Sequence, residues 1–201
     1  MKLSFSTKGW HNRTFEDFCD IAKDLKFKGI ELHNIHNELF TAKDGAFHDY
    51  TAAATVRKLY ELKLTIPCID TICDPADKSK EKESIEEIFA CIDIASRLNI
   101  PYVRIRACTT ENPEEKTENM AEVITSVLPT AEEKGVTLLV ETSGIYSDTA
   151  RLRDLLDRFA CDNLAALWDM YWPYFNINEQ PETTIKNLGA YIKHVHIKDA
   201  V

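Results

Sequence analysis

The chain has 201 residues, 44% hydrophobic and 28% charged, and carries a formal net charge of −9. That length suits one large domain with a sizeable core, and that charge disfavours nonspecific binding to nucleic acid or anionic membrane. No apolar run approaches the roughly 20 residues of a membrane helix, and the start, "MKLSFSTKGW", lacks the apolar stretch of a signal peptide.

The hydrophobic period switches between two and 3.6 along the chain. Residues 2–7 read as a first strand. Residues 14–27 follow as an amphipathic helix, with Thr14 as N-cap and Asp17 three residues on. Strands are expected at 29–34, 66–72, 102–108, 136–144, 164–172 and 193–199. Helices are expected between them at 52–64, 79–99, 117–135, 149–160 and 183–192. Pro129 is a kink candidate and Gly135 a helix stop. Seven strands thus alternate with six helices, which implies parallel strands joined by helical crossovers. A doubly wound open sheet and a (β/α)8 barrel both fit, but no GxGxxG follows the first strand. Residues 1–201 read as one domain with no linker. A closed barrel of this type needs an eighth unit, so the expectation is a barrel incomplete at its C-terminal end.

Six cysteines occur, none as CxxC, within apolar segments such as "FACIDIA". Without a signal peptide they read as reduced, buried thiols of a cytoplasmic protein. Cys73 has no evident cationic partner and is not expected to react.

Alternate residues of a barrel strand point inward. On that rule Glu31 pairs with His33 on one face, and Arg104 with Arg106. Leu139, Glu141 and Ser143 share another; Leu167, Asp169 and Tyr171 a fourth; His194, His196 and Lys198 a fifth. Barrel interiors are normally branched and apolar, and active sites sit at the C-terminal strand ends. Glu141, Asp169 and His196, from three consecutive strands, form a set that suits Mn²⁺, Mg²⁺, Co²⁺ or Zn²⁺. The competing reading makes each a strand cap or a member of a buried ion pair.

The segments "GIELH", "LLVETSG", "ALWDMYW" and "HVHIKDA" resemble the xylose-isomerase-like TIM barrels of the sugar phosphate isomerase/epimerase and endonuclease IV superfamily. The resemblance implies that Glu141, Asp169 and His196 bind the metal, together with a further Glu from strand eight. It also implies proton transfer beside a carbonyl in a small sugar or sugar phosphate, as in ketose 3-epimerases, with Glu141 as both ligand and acid/base. Dehydration of an inosose or a dehydroshikimate-like acid begins with the same step. A non-catalytic barrel is the third alternative.

Two departures matter. Many relatives carry a histidine where this chain has Trp172. Strands three and four also lack the histidines that endonucleases bring to a zinc cluster, which argues against repair of damaged DNA. Around the set, Lys198 is expected to hold a substrate oxygen or to pair with Asp199 or Glu31. Arg104 and Arg106 are expected to clamp an anionic group or to neutralise Glu31 and Glu141. Trp168, Tyr171 and Trp172 suggest an aromatic wall, His33 faces the same mouth, and His194 lies one layer deeper. The open edges of a seven-stranded sheet are expected to favour self-association, and a site without its strand-eight ligand is expected to bind metal weakly.

Overall fold

The computed structural model describes residues 2–10 and 13–198. Seven strands lie side by side in chain order. They are β1 (Ser4–Ser6), β2 (Gly29–His33), β3 (Cys68–Asp70), β4 (Tyr102–Ile105), β5 (Thr137–Glu141), β6 (Leu164–Asp169) and β7 (Ile192–His196). Every neighbouring pair is parallel. Consecutive parallel strands need crossovers. The main ones are α1 (Phe15–Asp24), α3 (Ala52–Leu62), α4 (Glu81–Leu98), α5 (Pro113–Glu133), α6 (Thr149–Phe159) and α8 (Pro181–Leu188). This is the (β/α)8-type fold with seven strands, and among the described residues no ladder joins β7 to β1.

Local chemistry explains the helix starts. At α1 the Thr14 side chain accepts from the Asp17 amide, and Asp17 returns the bond to Thr14. That reciprocal box satisfies two amides that would otherwise lack partners. Proline opens both α5 and α8, where its missing N–H costs nothing. Pro129 lies inside α5, which continues to Glu133.

The strands end earlier than their sequence pattern suggests. Strand six, expected through residue 172, stops at Asp169, and Tyr171–Ile177 form a further helix, α7. The Asp169 carboxylate accepts from the Tyr171 amide at 3.0 Å, which turns the chain out of the sheet. Tyr171 therefore does not continue the inward face of β6. Strand five stops at Glu141, and Gly144–Ser147 form a 3-10 turn. A short helix, α2 (Glu38–Thr41), lies in the loop after β2.

Two apolar regions pack against the sheet. The larger lies between sheet and helices and includes Ile30, Leu32, Ile69, Val103, Ile105, Leu138 and Val140 with Phe18, Ile88, Ile92 and Met120. The smaller is Leu139, Ala165 and Leu167 inside the barrel, with Tyr102 packed on it. Above that plug the interior turns polar. No helix of the described residues is long and apolar enough to cross a membrane. All six cysteines are unpaired; Cys19, Cys68 and Cys91 are buried, but Cys108 is exposed and Cys73 and Cys161 are half-buried. Burial pushes the Cys73 thiol up to about 12, with Glu87 adding to it.

Candidate metal centre at the C-terminal ends of the strands

The last three strands each close on an ionisable residue. β5 ends on Glu141 and β6 on Asp169, while β7 ends on His196. Asp169 and His196 are register partners, and Glu141 pairs with Leu167 two residues before Asp169. The stagger stacks the three at one level, and one ligand atom from each lies within 4.8 Å of the others. Glu141 and Asp169 are buried. Two carboxylates and an imidazole with converging donor atoms fit a divalent cation of the borderline or hard class.

Below and beside them lies a buried ion triad. The Arg104 Nε is 3.1 Å from Asp70 Oδ1 and 3.3 Å from Glu141 Oε2. Arg104 is only 2% exposed. Burial alone lowers the guanidinium pKa, but the Asp70 and Glu141 charges outweigh it and raise the pKa. Burial likewise pushes the Asp70 carboxyl up, yet the Arg104 charge holds it well below the usual carboxylate range. A depressed folded pKa contributes stability above the unfolded value of about 4, lost as pH falls toward the folded one. Melting temperature should therefore fall below about pH 4, and Asp70→Asn should start lower but lose less over that interval. Parallel curves for the two proteins would remove Asp70 from the acid response.

Glu31 serves different partners. Its Oε2 is 2.7 Å from His194 Nε2, a hydrogen bond, and its Oε1 is 2.8 Å from His196 Nε2. The second approach lacks hydrogen-bond angles, so both atoms stay without a bonded partner. Burial pushes the His196 imidazole down, but Glu31 first, then Asp70 and Glu141, outweigh it and raise its pKa.

The remaining expected residues fall around this group. Lys198 Nζ contacts Asp169 Oδ2 at 2.6 Å and lies 4.3 Å over the Trp172 ring and 5.2 Å over Tyr171. Its expected partners were Glu31 and Asp199; Asp199 lies outside the described residues. Trp172 belongs to α7, not to a strand, and its buried Nε1 has no partner. His33 Nδ1 is 3.8 Å from Asp70 Oδ2, too far for a hydrogen bond. His33 also lines a cavity of about 1040 Å³ with Thr7, Lys8, Trp10 and Asn37. Arg106 is half-buried past the end of β4, its Nε unpartnered. Of the expected neutralising pairs, Arg104 meets Glu141; Glu31 is met by histidines instead.

Asp70 was absent from the expected site. It is the inward residue of "IPCIDTI", in register with both His33 and Arg104, and the same alternation that singled out Glu31 marks it.

A family model described as xylose isomerase-like TIM barrel matches residues 19–201. The chain belongs to the xylose isomerase-like TIM barrel family. Within reach of that family, an uncharacterized protein of Escherichia coli (strain K12), YihM, is 28% identical over 185 residues. The match covers 92% of this chain and 52% of YihM, so the chain spans about half the length of that curated relative. The apo structure of the 3-keto-D-glucoside 4-epimerase YcjR from E. coli superposes with a TM-score of 0.79 at 13% identity, over 99% of this chain and 79% of that one. The IolI protein with a bound zinc atom gives 0.77 at 18% identity, over 99% and 73%. At such identities these structures establish the shared xylose isomerase-like fold.

Proposed function

We propose that this barrel is a divalent-metal-dependent sugar isomerase or epimerase that moves a proton on the carbon next to a carbonyl. The observation that carries this reading is the convergence of Glu141, Asp169 and His196 within 4.8 Å at the C-terminal ends of three adjacent strands. The family adds support, as do the similar solved structures of an epimerase and of a protein with a bound zinc.

Glu141, Asp169 and His196 would hold the ion. A bound divalent cation supplies Lewis-acid polarisation of a carbonyl oxygen. Glu141 is the base of this reading: Arg104 engages its Oε2, which fixes the direction of the carboxylate. Lys198 stands on Asp169 and on the face of Trp172. From there its ammonium can transfer to a substrate oxygen as negative charge develops. Trp172 then serves both as a platform for Lys198 and as an apolar surface for the substrate. His33 and Arg106 flank the mouth as substrate contacts, and the cations suit a sugar or sugar phosphate.

The test is solvent deuterium incorporation into a panel of keto sugars and their phosphates, with Mn²⁺, Mg²⁺, Co²⁺ or Zn²⁺ and after chelation. Exchange at the carbon beside the carbonyl, present with metal and absent without, is the expected outcome. Loss of water from the exchanged substrate would assign the dehydratase version of the same step. No exchange with any member of the panel, or exchange that survives chelation, would sink the reading.

A further inference from the structure

Glu31 is 2% exposed, and among the described residues no lysine or arginine forms an ion pair with it. A buried carboxylate without a cation needs full hydrogen bonding. Its neighbours are two imidazoles of β7, at 2.7 Å and 2.8 Å. β2 and β7 are not adjacent in the sheet, so these contacts cross the barrel interior. The two rings stand nearly perpendicular, at 81°, with centroids 5.4 Å apart.

His196 has two nitrogens and two claims on them. One claim is Glu31, which faces Nε2. The other is the Glu141–Asp169 pair. A carboxylate that accepts the N–H of a ligating imidazole orients the ring, selects its tautomer and raises its basicity. We infer that Glu31, anchored by His194, is the positioning residue of the candidate metal centre: it takes the Nε2 proton of His196 and leaves Nδ1 to the cation. The inference rests on the metal reading above.

The anchoring accounts for the second histidine. Without His194, the Glu31 carboxylate would have one oxygen free to turn, and its aim at His196 would loosen. With it, one carboxylate oxygen is fixed and the other is directed at Nε2. The 2.8 Å separation is already that of a bond, and only the angle is off. A turn of the His196 ring corrects the angle, and ligation at Nδ1 would hold the ring in that position.

The experiment uses the whole chain loaded with Zn²⁺. Nitrogen-15 histidine spectra identify which His196 nitrogen is metal-bound and which is protonated. The expected result is metal on Nδ1 and a proton on Nε2. Chelator competition then gives zinc affinity for the wild type, Glu31→Gln and His194→Gln. A loss of about 10- to 100-fold is expected in Glu31→Gln, a smaller loss in His194→Gln, and one ion per chain in all three. Glu31→Asp, which keeps the charge but retracts it, should recover part of the loss.

Metal on Nε2 would overturn the inference, and that result needs no variant to fold. So would undiminished zinc affinity in a folded Glu31→Gln, which would make Glu31 a strut between strands. Zinc binding that survives Glu141→Gln but vanishes in Glu31→Gln would place the ion among Glu31, His194 and His196, and overturn it too. A wild type that binds no divalent ion would remove the metal reading itself, a failure visible before any variant is made.

Discussion

Glu141→Gln is expected to abolish the metal-dependent exchange, with a loss of at least about 10²- to 10⁴-fold. The amide keeps the shape of the side chain but cannot accept a proton at neutral pH. It also removes one of the two anionic donors, Asp169 being the other, so zinc affinity should fall with activity. The two losses separate by concentration: saturating metal restores occupancy but not the base. Arg104 still has Asp70, 3.1 Å away in the wild type, as a partner, so the chain should stay folded, and a urea titration checks that. Exchange at the wild-type rate in Glu141→Gln, at saturating metal, would remove Glu141 from the chemistry.

The second large effect is on stability. Arg104→Met should cost about 3–5 kcal/mol, because it strands the buried carboxylates of Asp70 and Glu141 without their shared cation. The cost comes less from the lost attraction than from leaving charge in the barrel interior uncompensated. Arg104→Met combined with Asp70→Asn and Glu141→Gln should therefore unfold later in urea than Arg104→Met alone. Arg104→Lys should fall between, since it keeps the charge but loses the planar fork that spans two carboxylates. A cost under about 1 kcal/mol for Arg104→Met would mean that water reaches the triad.

The fold could be read from the chain because its signals are local and repeated. Each crossover helix carries its own apolar stripe, and each strand its own period-two alternation. The site was readable where that alternation put a charge at a strand end, as in "LLVE", "LWD" and "HVH". What escaped it depends on partners far apart in the chain. Glu31 and Arg104 look like a natural pair in sequence, but register places Asp70 beside Arg104 and the β7 histidines across from Glu31. No local pattern encodes that choice. The early end of β6 escaped for another reason. "LAALWDMYW" continues the apolar pattern past Asp169, and the Asp169 carboxylate, accepting from the Tyr171 amide, turns the chain out of the sheet.

The two-sided character of these strands has an evolutionary consequence. In β2, Ile30 and Leu32 pack under the helices while Glu31 and His33 face the interior; in β5, Leu138 and Val140 do the first and Glu141 the second. Mutations at the inward positions leave the helix-facing core intact, so selection can revise reactivity in small steps wherever the buried charges stay compensated, which Arg104→Met does not allow. A one-residue slip of β2 or β5 is punished at once, because it exchanges carboxylate for aliphatic on both faces. The same alternation therefore leaves the chemistry free to diverge and holds the scaffold to one inherited register.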